Sequence, residues 1–294
     1  MVNQRRDKAM TTTTDLAHAE LLRVAAPNGI DYAYRRFGNT AAGAPVVFLQ
    51  HFRGNIDNWD PALIDPIAAG REVILFDNVG IGATSGTTPT SVQDMANDAV
   101  AFIDRLGLTQ VDLFGFSLGG FVAQEIALSH SPLVRRLILA GTGPKGAPGM
   151  EQWRPDVVEA VVAVDEVSPE GYLHAFYAPT PSSQAAGQAS LGRIYWRQEG
   201  RDANPSLASK NAQYEAVLLW GAQDWPAVQR LSHIGQPTLI LQGDDDIMIP
   251  TAASHLMAGL IPNSKITIYP NASHGAIFQH ADAAAKDTLT FLAD

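Results

Sequence analysis

The 294-residue sequence contains no cysteine, which excludes disulfide bonds, thiolate catalysis and metal sites built from cysteine. It also has no apolar run of about 18 residues, the length that a membrane-spanning helix needs. Basic residues are few, since 20 Lys and Arg stand against 30 Asp and Glu and give a formal net charge of −10. This charge disfavours nucleic acids and anionic membranes as partners, and mildly disfavours strongly anionic substrates.

Signals for targeting, metals and cofactors are also missing. Residues 1–20 have no apolar segment of the signal-peptide type, so we expect a flexible lead there and a cytoplasmic location. Closely spaced histidine pairs of the zinc-site type are absent, so no metal is expected. Gly80-Ile81-Gly82 follows a predicted strand, but the third glycine, Gly86, comes one place too late for a dinucleotide fingerprint. We expect no cofactor, and the sequence leaves open whether the chain forms a homo-oligomer.

Apolar runs alternate with helix-type segments, as a mostly parallel sheet with helices on both faces requires. Asn28-Gly29 separates the first two predicted strands, at 21–26 and 30–37, which indicates an antiparallel hairpin. Ser91 is the predicted N-cap of a helix over 91–106. Six further strands are predicted at 45–50, 72–77, 111–114, 136–140, 237–241 and 265–269.

Gly115-Phe116-Ser117-Leu118-Gly119 has the pattern G-x-S-x-G and lies between a predicted strand and a helical segment at 120–130. A sharp turn from strand to helix lifts its central side chain clear of the sheet, and the glycines allow the two elements to approach closely. A glycine-rich loop with a surface serine is the alternative. The strand before and the helix after favour a nucleophile elbow with Ser117 as the nucleophile.

A serine hydroxyl needs a histidine base and an orienting acid to act as a nucleophile at neutral pH. His274 follows the strand predicted at 265–269, and the run Asp244-Asp245-Asp246 follows the strand predicted at 237–241. The chain order is therefore Ser, Asp, His. This order is expected of an α/β-hydrolase and differs from the orders of chymotrypsin and subtilisin.

These motifs closely resemble the α/β-hydrolase superfamily from about Leu21 onward. The resemblance implies an α/β-hydrolase fold, with a mostly parallel sheet of about eight strands and helices on both faces. It places the core at 21–141 and 237–294, and a helical lid insertion at 142–236. Only the segment between the sixth and seventh strands is too variable to match.

The acid loop of the superfamily commonly reads G-x-x-D-x-x-[VI]-P, which matches the segment from Gly243 to Pro250. The resemblance therefore assigns the acid to Asp246. Asp244 and Asp245 are then solvated loop carboxylates.

Acyl transfer also needs two backbone N–H groups that bind the oxyanion of the tetrahedral intermediate. The elbow supplies Leu118, the residue after the nucleophile. The second donor is expected in the loop after the third strand, where most relatives read His-Gly-X and this chain reads His51-Phe52-Arg53. We favour Phe52, with Arg53 as the alternative, and expect His51 to hold the loop in place.

The segment predicted as the lid is rich in aromatic residues, and most of them are expected to hold its helices together. Trp153 and Trp196 from this segment, and Phe116 from the core, are predicted to contact the substrate. A lid of this kind would exclude water and shape the pocket.

The nucleophile determines the expected reaction. Epoxide hydrolases and haloalkane dehalogenases of this fold use an aspartate, so Ser117 disfavours both. The resemblance to enol-lactonases, small carboxylesterases and cofactor-free haloperoxidases implies a serine hydrolase that cleaves a small carboxylic ester or lactone through an acyl-enzyme. The alternatives are a carbon–carbon bond hydrolase, a perhydrolase, and a receptor of the same fold that binds a small molecule without turnover.

Overall fold

The computed structural model describes residues 15–197 and 199–294, and one eight-stranded sheet forms its centre. The strands are β1 Leu22–Ala25, β2 Asp31–Gly38, β3 Val46–Leu49, β4 Glu72–Phe76, β5 Val111–Phe116, β6 Val134–Ala140, β7 Thr238–Gly243 and β8 Ser264–Tyr269. Their order in the sheet is β1-β2-β4-β3-β5-β6-β7-β8. β2 pairs antiparallel with β1 and β4, and every other pairing is parallel. The predicted α/β-hydrolase fold is confirmed.

Helices connect most of the parallel strands. They are α1 Pro61–Gly70, α2 Val92–Arg105, α3 Leu118–Ser129, α4 Pro155–Val161, α5 Pro169–Phe176, α6 Pro181–Ile194, α7 Leu207–Gly221, α8 Trp225–Gln229, α9 Thr251–Leu260, α10 Ala276–Gln279 and α11 Ala281–Ala293. Short 3-10 helices occur at Ile56–Asn58, Ser131–Leu133 and Arg230–His233. The predicted cap of α2 is confirmed, because the Ser91 side chain accepts a hydrogen bond from the Asp94 N–H.

The central strands are buried along their whole length, which explains why they read as continuous apolar runs. The Phe48 and Phe114 rings stack with their centroids 4.7 Å apart, and Trp59 packs edge-on against both. α1 packs against α11, and α2 packs against α3. The strand ends at the carboxyl edge of the sheet are therefore held on a closely packed core.

Five α-helices, α4 to α8, lie between β6 and β7 in the described part of the chain, and we call the segment 142–236 the insertion. An ion pair between a partly exposed arginine and a buried aspartate joins it to the core. Asp60, whose side chain is fully buried, accepts hydrogen bonds at 2.8 and 2.7 Å from the Arg193 guanidinium. The Ser190 hydroxyl donates to the same carboxylate at 2.7 Å. α6 is thereby fixed to the start of α1.

The predicted lead at 1–20 falls partly outside the described residues, which begin at residue 15. Leu16 and Ala19 are buried, and the Leu16 N–H donates to Asp65 at 2.8 Å. Leu16 and Ala19 therefore pack on the core, whereas His18 and Glu20 are exposed. In the ranges described above, no helix has the length and apolar character needed to cross a membrane.

Candidate active site

Ser117 lies between β5 and α3, in the turn that the G-x-S-x-G pattern predicts. Its φ angle of 55° is positive, which is uncommon for a residue with a side chain and costs about 1–3 kcal/mol. The Ser117 N–H donates to the Ala140 carbonyl at 2.9 Å, and the Thr142 hydroxyl donates to the Ser117 carbonyl at 2.9 Å. The end of β6 thus holds the strained turn on both sides.

The two glycines of the motif are required by close packing. A Cβ atom at Gly119 would overlap the Leu49 carbonyl oxygen, and one at Gly115 would lie 2.5 Å from the Gly119 oxygen. Cβ atoms in proteins do not lie this close to main-chain oxygens, which cannot move aside. The glycines therefore let α3 start directly against β3 and β5.

His274 and Asp246 are joined by a hydrogen bond of 2.8 Å between His274 Nδ1 and Asp246 Oδ2. Because the carboxylate accepts, Nδ1 carries the proton and Nε2 is left as the basic nitrogen. The other oxygen of Asp246 accepts from the Met248 and Ile249 N–H groups at 2.8 and 2.9 Å. Both side chains are almost fully buried, so the acid is fixed and oriented toward His274.

The two neighbouring carboxylates lie in other environments. Asp244 and Asp245 are exposed, and Asp244 accepts a hydrogen bond from the Ala272 N–H at 3.0 Å. Neither contacts His274 in the described hydrogen bonds. The structure therefore brings Asp246, and not its neighbours, to the histidine.

The Leu118 N–H is at the first position of α3, where no intrahelical acceptor exists. Of the two candidates on the loop after β3, the Arg53 N–H already donates to the Gln213 side chain at 2.8 Å. This hydrogen bond leaves Phe52 as the better candidate.

The peptide unit between Phe52 and Arg53 is held at both ends. Its carbonyl accepts from His51 Nδ1 at 2.8 Å, and its N–H donates to Gln213 of α7. Arg53 has a φ of 62°, and its guanidinium donates to the Val161 and Val164 carbonyls at 3.1 and 2.9 Å. The insertion therefore fixes the loop that carries the candidate oxyanion donor.

Ser117 and His274 open onto one cavity of about 720 Å³, including its solvent-open mouth. Its core wall also contains His51, Phe52 and Met248. The opposite wall comes from the insertion and includes Val161, Tyr172, Phe176, Ile194, Tyr195 and Asn204. The cavity suits a small ligand that is mostly apolar and carries a few polar groups.

The three residues predicted to contact the substrate do not line this cavity. Phe116 is fully buried beneath it, with its ring centroid 5.1 Å from that of His274. Trp153 is buried behind Phe52 at 5.2 Å, and Trp196 is 52% exposed on the surface. This is a correction: the tryptophans support the wall or lie away from it, and other side chains form its surface.

The residues singled out from the sequence for substrate contact did not include the aromatic residues of the insertion that line the cavity, which are Tyr172, Phe176 and Tyr195. Phe176 and Tyr177 come one after the other in the chain, yet only Phe176 lines the cavity. The aromatic content predicted a contribution from the insertion as a whole, but it did not predict which rings face the cavity. Asn58 and Met248, which follow core motifs, could have been suggested by their nearness to Phe52 and Asp246.

Two aspartates, the buried Asp77 of the core and the half-buried Asp202 of the insertion, lie where these two parts of the chain meet. Asp77 accepts from the Ile56 N–H at 2.9 Å, and the Asp202 N–H donates to Asp57 at 2.8 Å. Burial, and then repulsion by Asp202, raises the pKa of Asp77 well above its usual range. Burial, and then repulsion by Asp57, raises the pKa of Asp202. The carboxyl groups of Asp77 and Asp202 lie close enough to affect each other's pKa, so a proton shared between them would relieve their repulsion.

The sheet order and the loops that carry Ser117, Asp246 and His274 define an α/β-hydrolase architecture. A family model described as the alpha/beta hydrolase fold matches residues 44–281. The chain therefore belongs to the alpha/beta hydrolase fold family.

Comparisons with individual proteins agree with this assignment. The chain is 30% identical over 283 residues to a non-heme haloperoxidase of Rhodococcus erythropolis, covering 92% of this chain and 98% of the relative. It is 26% identical over 282 residues to a bifunctional esterase/perhydrolase of Acinetobacter calcoaceticus, again covering 92% and 98%. The solved structure of an alpha/beta hydrolase fold protein from Chitinophaga pinensis superposes with a TM-score of 0.88 at 34% identity, covering 95% of this chain and 98% of that one.

Proposed function

We propose that the protein is a serine hydrolase that cleaves a small carboxylic ester or lactone through an acyl-enzyme on Ser117. The observation that carries the proposal is the 2.8 Å hydrogen bond from His274 to Asp246 in the same cavity as Ser117. It leaves His274 Nε2 free of any hydrogen-bond partner among the described residues, and ready to accept the serine proton.

The proposed reaction assigns a role to each of these groups. Ser117 Oγ attacks the acyl carbon while His274 Nε2 takes its proton, and Asp246 orients the imidazolium that forms. The proton passes to the leaving oxygen, which departs as an alcohol or, for a lactone, as the hydroxyl end of the same molecule. His274 next takes a proton from water as the water oxygen attacks the acyl carbon, and it then gives that proton to Ser117 Oγ, which leaves as the acid is released.

The oxyanion is assigned to the Leu118 and Phe52 N–H groups. The hydrogen bond from the Arg53 N–H to Gln213 supports Phe52 over Arg53 as the second donor. The insertion acts as the lid, because it supplies the wall opposite Ser117. Its apolar and aromatic lining supports a small, uncharged acyl group as the substrate.

Labelling with a fluorophosphonate tests the nucleophile. We expect one adduct on the peptide that contains Ser117, together with hydrolysis of p-nitrophenyl esters and simple lactones. Ser117→Ala should lose both, whereas Ser129→Ala, at the far end of α3, should keep both. An unlabelled protein without turnover would instead be a binding module of the same fold.

Perhydrolysis is the second candidate, favoured by the similarity to the haloperoxidase and the bifunctional esterase/perhydrolase. In this reaction hydrogen peroxide attacks the acyl-enzyme in place of water, and the product is a peracid. The measurement is the yield of peracid relative to acid as peroxide is added at constant ester. Acid alone at every peroxide concentration would rule this activity out.

A further inference from the structure

Two buried polar atoms on residues of the cavity wall have no role in the proposed reaction. Neither His51 Nε2 nor the Tyr172 hydroxyl has a hydrogen-bond partner in the described ranges of the chain. Both residues line the cavity together with Ser117. Buried polar groups without a partner are rare and destabilising, so a pair of them beside a nucleophile indicates a ligand that bonds to both.

His51 can only accept a hydrogen bond at Nε2. Its Nδ1 lies 2.8 Å from the Phe52 carbonyl oxygen, and because a carbonyl only accepts, Nδ1 carries the proton. Burial lowers the pKa of His51 to about 4, an effect that the Phe52 carbonyl opposes and nearby His274 strengthens. The ring is therefore neutral at pH 7, with a lone pair on Nε2.

The two groups pack on the same side chain. The Phe176 ring centroid is 5.4 Å from that of His51 and 4.2 Å from that of Tyr172. Phe176 also lies 5.2 Å from the His274 ring. The unpaired atoms therefore belong to the part of the cavity next to the reacting groups. The Tyr172 hydroxyl can both donate and accept.

We propose that His51 and Tyr172 form a subsite for a hydroxyl group on the acyl part of the substrate. The substrate hydroxyl donates to His51 Nε2, and the Tyr172 hydroxyl donates to the oxygen of that group. An ester or lactone group alone offers only acceptors and cannot bond to His51 Nε2. The subsite rests on the proposed function and narrows its substrate to hydroxy esters and hydroxy lactones.

The test compares p-nitrophenyl butyrate with its 2-hydroxy and 3-hydroxy derivatives, using each enantiomer. At least one hydroxy ester should exceed butyrate in kcat/KM by about 10- to 100-fold, because a site built around a hydroxyl discriminates against its absence. His51→Asn keeps an N–H near the position of Nδ1 for the Phe52 carbonyl but has no acceptor at Nε2. His51→Asn and Tyr172→Phe should each bring the ratio close to one.

Tyr177→Phe is the matched control. Its ring centroid lies 6.2 Å from that of Tyr172, yet Tyr177 does not line the cavity, so the variant should keep the wild-type ratio. Fluorophosphonate labelling of each variant shows that Ser117 remains folded and reactive.

Three results would overturn the proposal, and they are distinguishable. Wild-type protein that hydrolyses butyrate as well as every hydroxy ester has no hydroxyl subsite, while the proposed function stands. Equal loss of activity on both kinds of ester in His51→Asn would assign Nε2 to the hydrolytic water that all substrates share. Absence of labelling and of any turnover would remove the proposed function and the subsite together.

Discussion

The two walls of the cavity are built in different ways. The core wall is fixed by the main chain: Ser117 lies in a strained turn, and two main-chain N–H groups bind Asp246. The insertion wall is fixed by side chains that reach far along the sequence, such as Arg193 to Asp60 and Gln213 to the loop at Arg53. The chemistry thus depends on local geometry, whereas the shape of the pocket depends on individual long-range contacts.

The largest effect is expected from a change in the core wall, at the candidate acid Asp246. Asp246→Asn keeps the size of the side chain but donates where the carboxylate accepts, so His274 takes the wrong tautomer. We expect kcat to fall by about 10⁴-fold, the size seen when a triad acid becomes an amide. Ester hydrolysis measures this change.

Asp244→Asn and Asp245→Asn are the controls, because Asp245 is exposed and an asparagine at 244 can still accept from the Ala272 N–H. Both should stay close to wild type. A severe loss in Asp245→Asn with a mild one in Asp246→Asn would contradict the assignment of the acid.

A smaller effect is expected where the insertion supports the loop at Phe52 and Arg53, which carries the candidate oxyanion donor. Gln213→Met keeps the length of the side chain but removes the acceptor for the Arg53 N–H, so the peptide unit between Phe52 and Arg53 loses one of its two anchors. We expect kcat to fall by about 10- to 100-fold with little change in KM, less than the loss of an oxyanion donor. Steady-state kinetics with one ester measures the changes in kcat and KM separately.

Gln213→Glu retains an acceptor and should recover most of kcat. Should both variants change KM alone, the contact positions the substrate and not the candidate oxyanion donor.

The contact between Asp77 of the core and Asp202 of the insertion should make the free energy of unfolding depend on pH. Since both pKa values are raised, the stabilising protonated form is complete below about pH 4 and is lost as pH rises through the folded pKa values. Asp202→Asn supplies a permanent donor to Asp77. It should raise the free energy of unfolding by about 1 kcal/mol at pH 8, and by less at pH 4.

Denaturant unfolding at several pH values measures this difference. Arg35 and Arg197 face the neighbouring Asp57 at 3.7 and 3.8 Å and are unchanged in the variant. Asp245→Asn, an exposed change, should show no such trend. Equal stabilisation at all pH values would show that the two carboxylates do not share a proton.

The smallest effect lies in the insertion, away from its contacts. A Cβ atom at Gly192 in α6 would meet no atom within 4 Å, so Gly192→Ala should stabilise the protein by about 0.5 kcal/mol through helix propensity and leave kcat/KM unchanged. Gly187→Ala in the same helix should destabilise, because its Cβ would lie 2.5 Å from Leu173 and 2.7 Å from Tyr177. Thermal unfolding of the pair tests the contrast, and equal shifts would contradict it.

The same difference between the walls explains how much the sequence predicts. Ser117, Asp246 and His274 each follow a strand with a clear apolar pattern, and glycine or proline marks the turns around them. Because the local geometry of such turns depends on residues close in sequence, a short motif is enough to predict it. The fold, including the hairpin before β3, was predictable for the same reason.

The insertion wall was not predictable in this way. Trp153 and Trp196 are of the residue type expected to line a pocket. However, Trp153 packs behind Phe52 and Trp196 lies on the surface. Which ring faces the cavity depends on how the helices of the insertion pack on the core. That packing rests on contacts between residues more than a hundred positions apart. The preference for Phe52 over Arg53 as the candidate oxyanion donor likewise depends on the position of Gln213.

The direct pairing of β6 with β7 has an evolutionary consequence. A segment inserted between two neighbouring strands can lengthen, shorten or be exchanged without moving any other strand of the sheet. Substrate range can therefore diverge while the reaction chemistry is inherited unchanged. Asp60 sets a condition on such exchange, because a new segment needs its own cation or hydroxyl to replace Arg193 and Ser190 at that buried carboxylate.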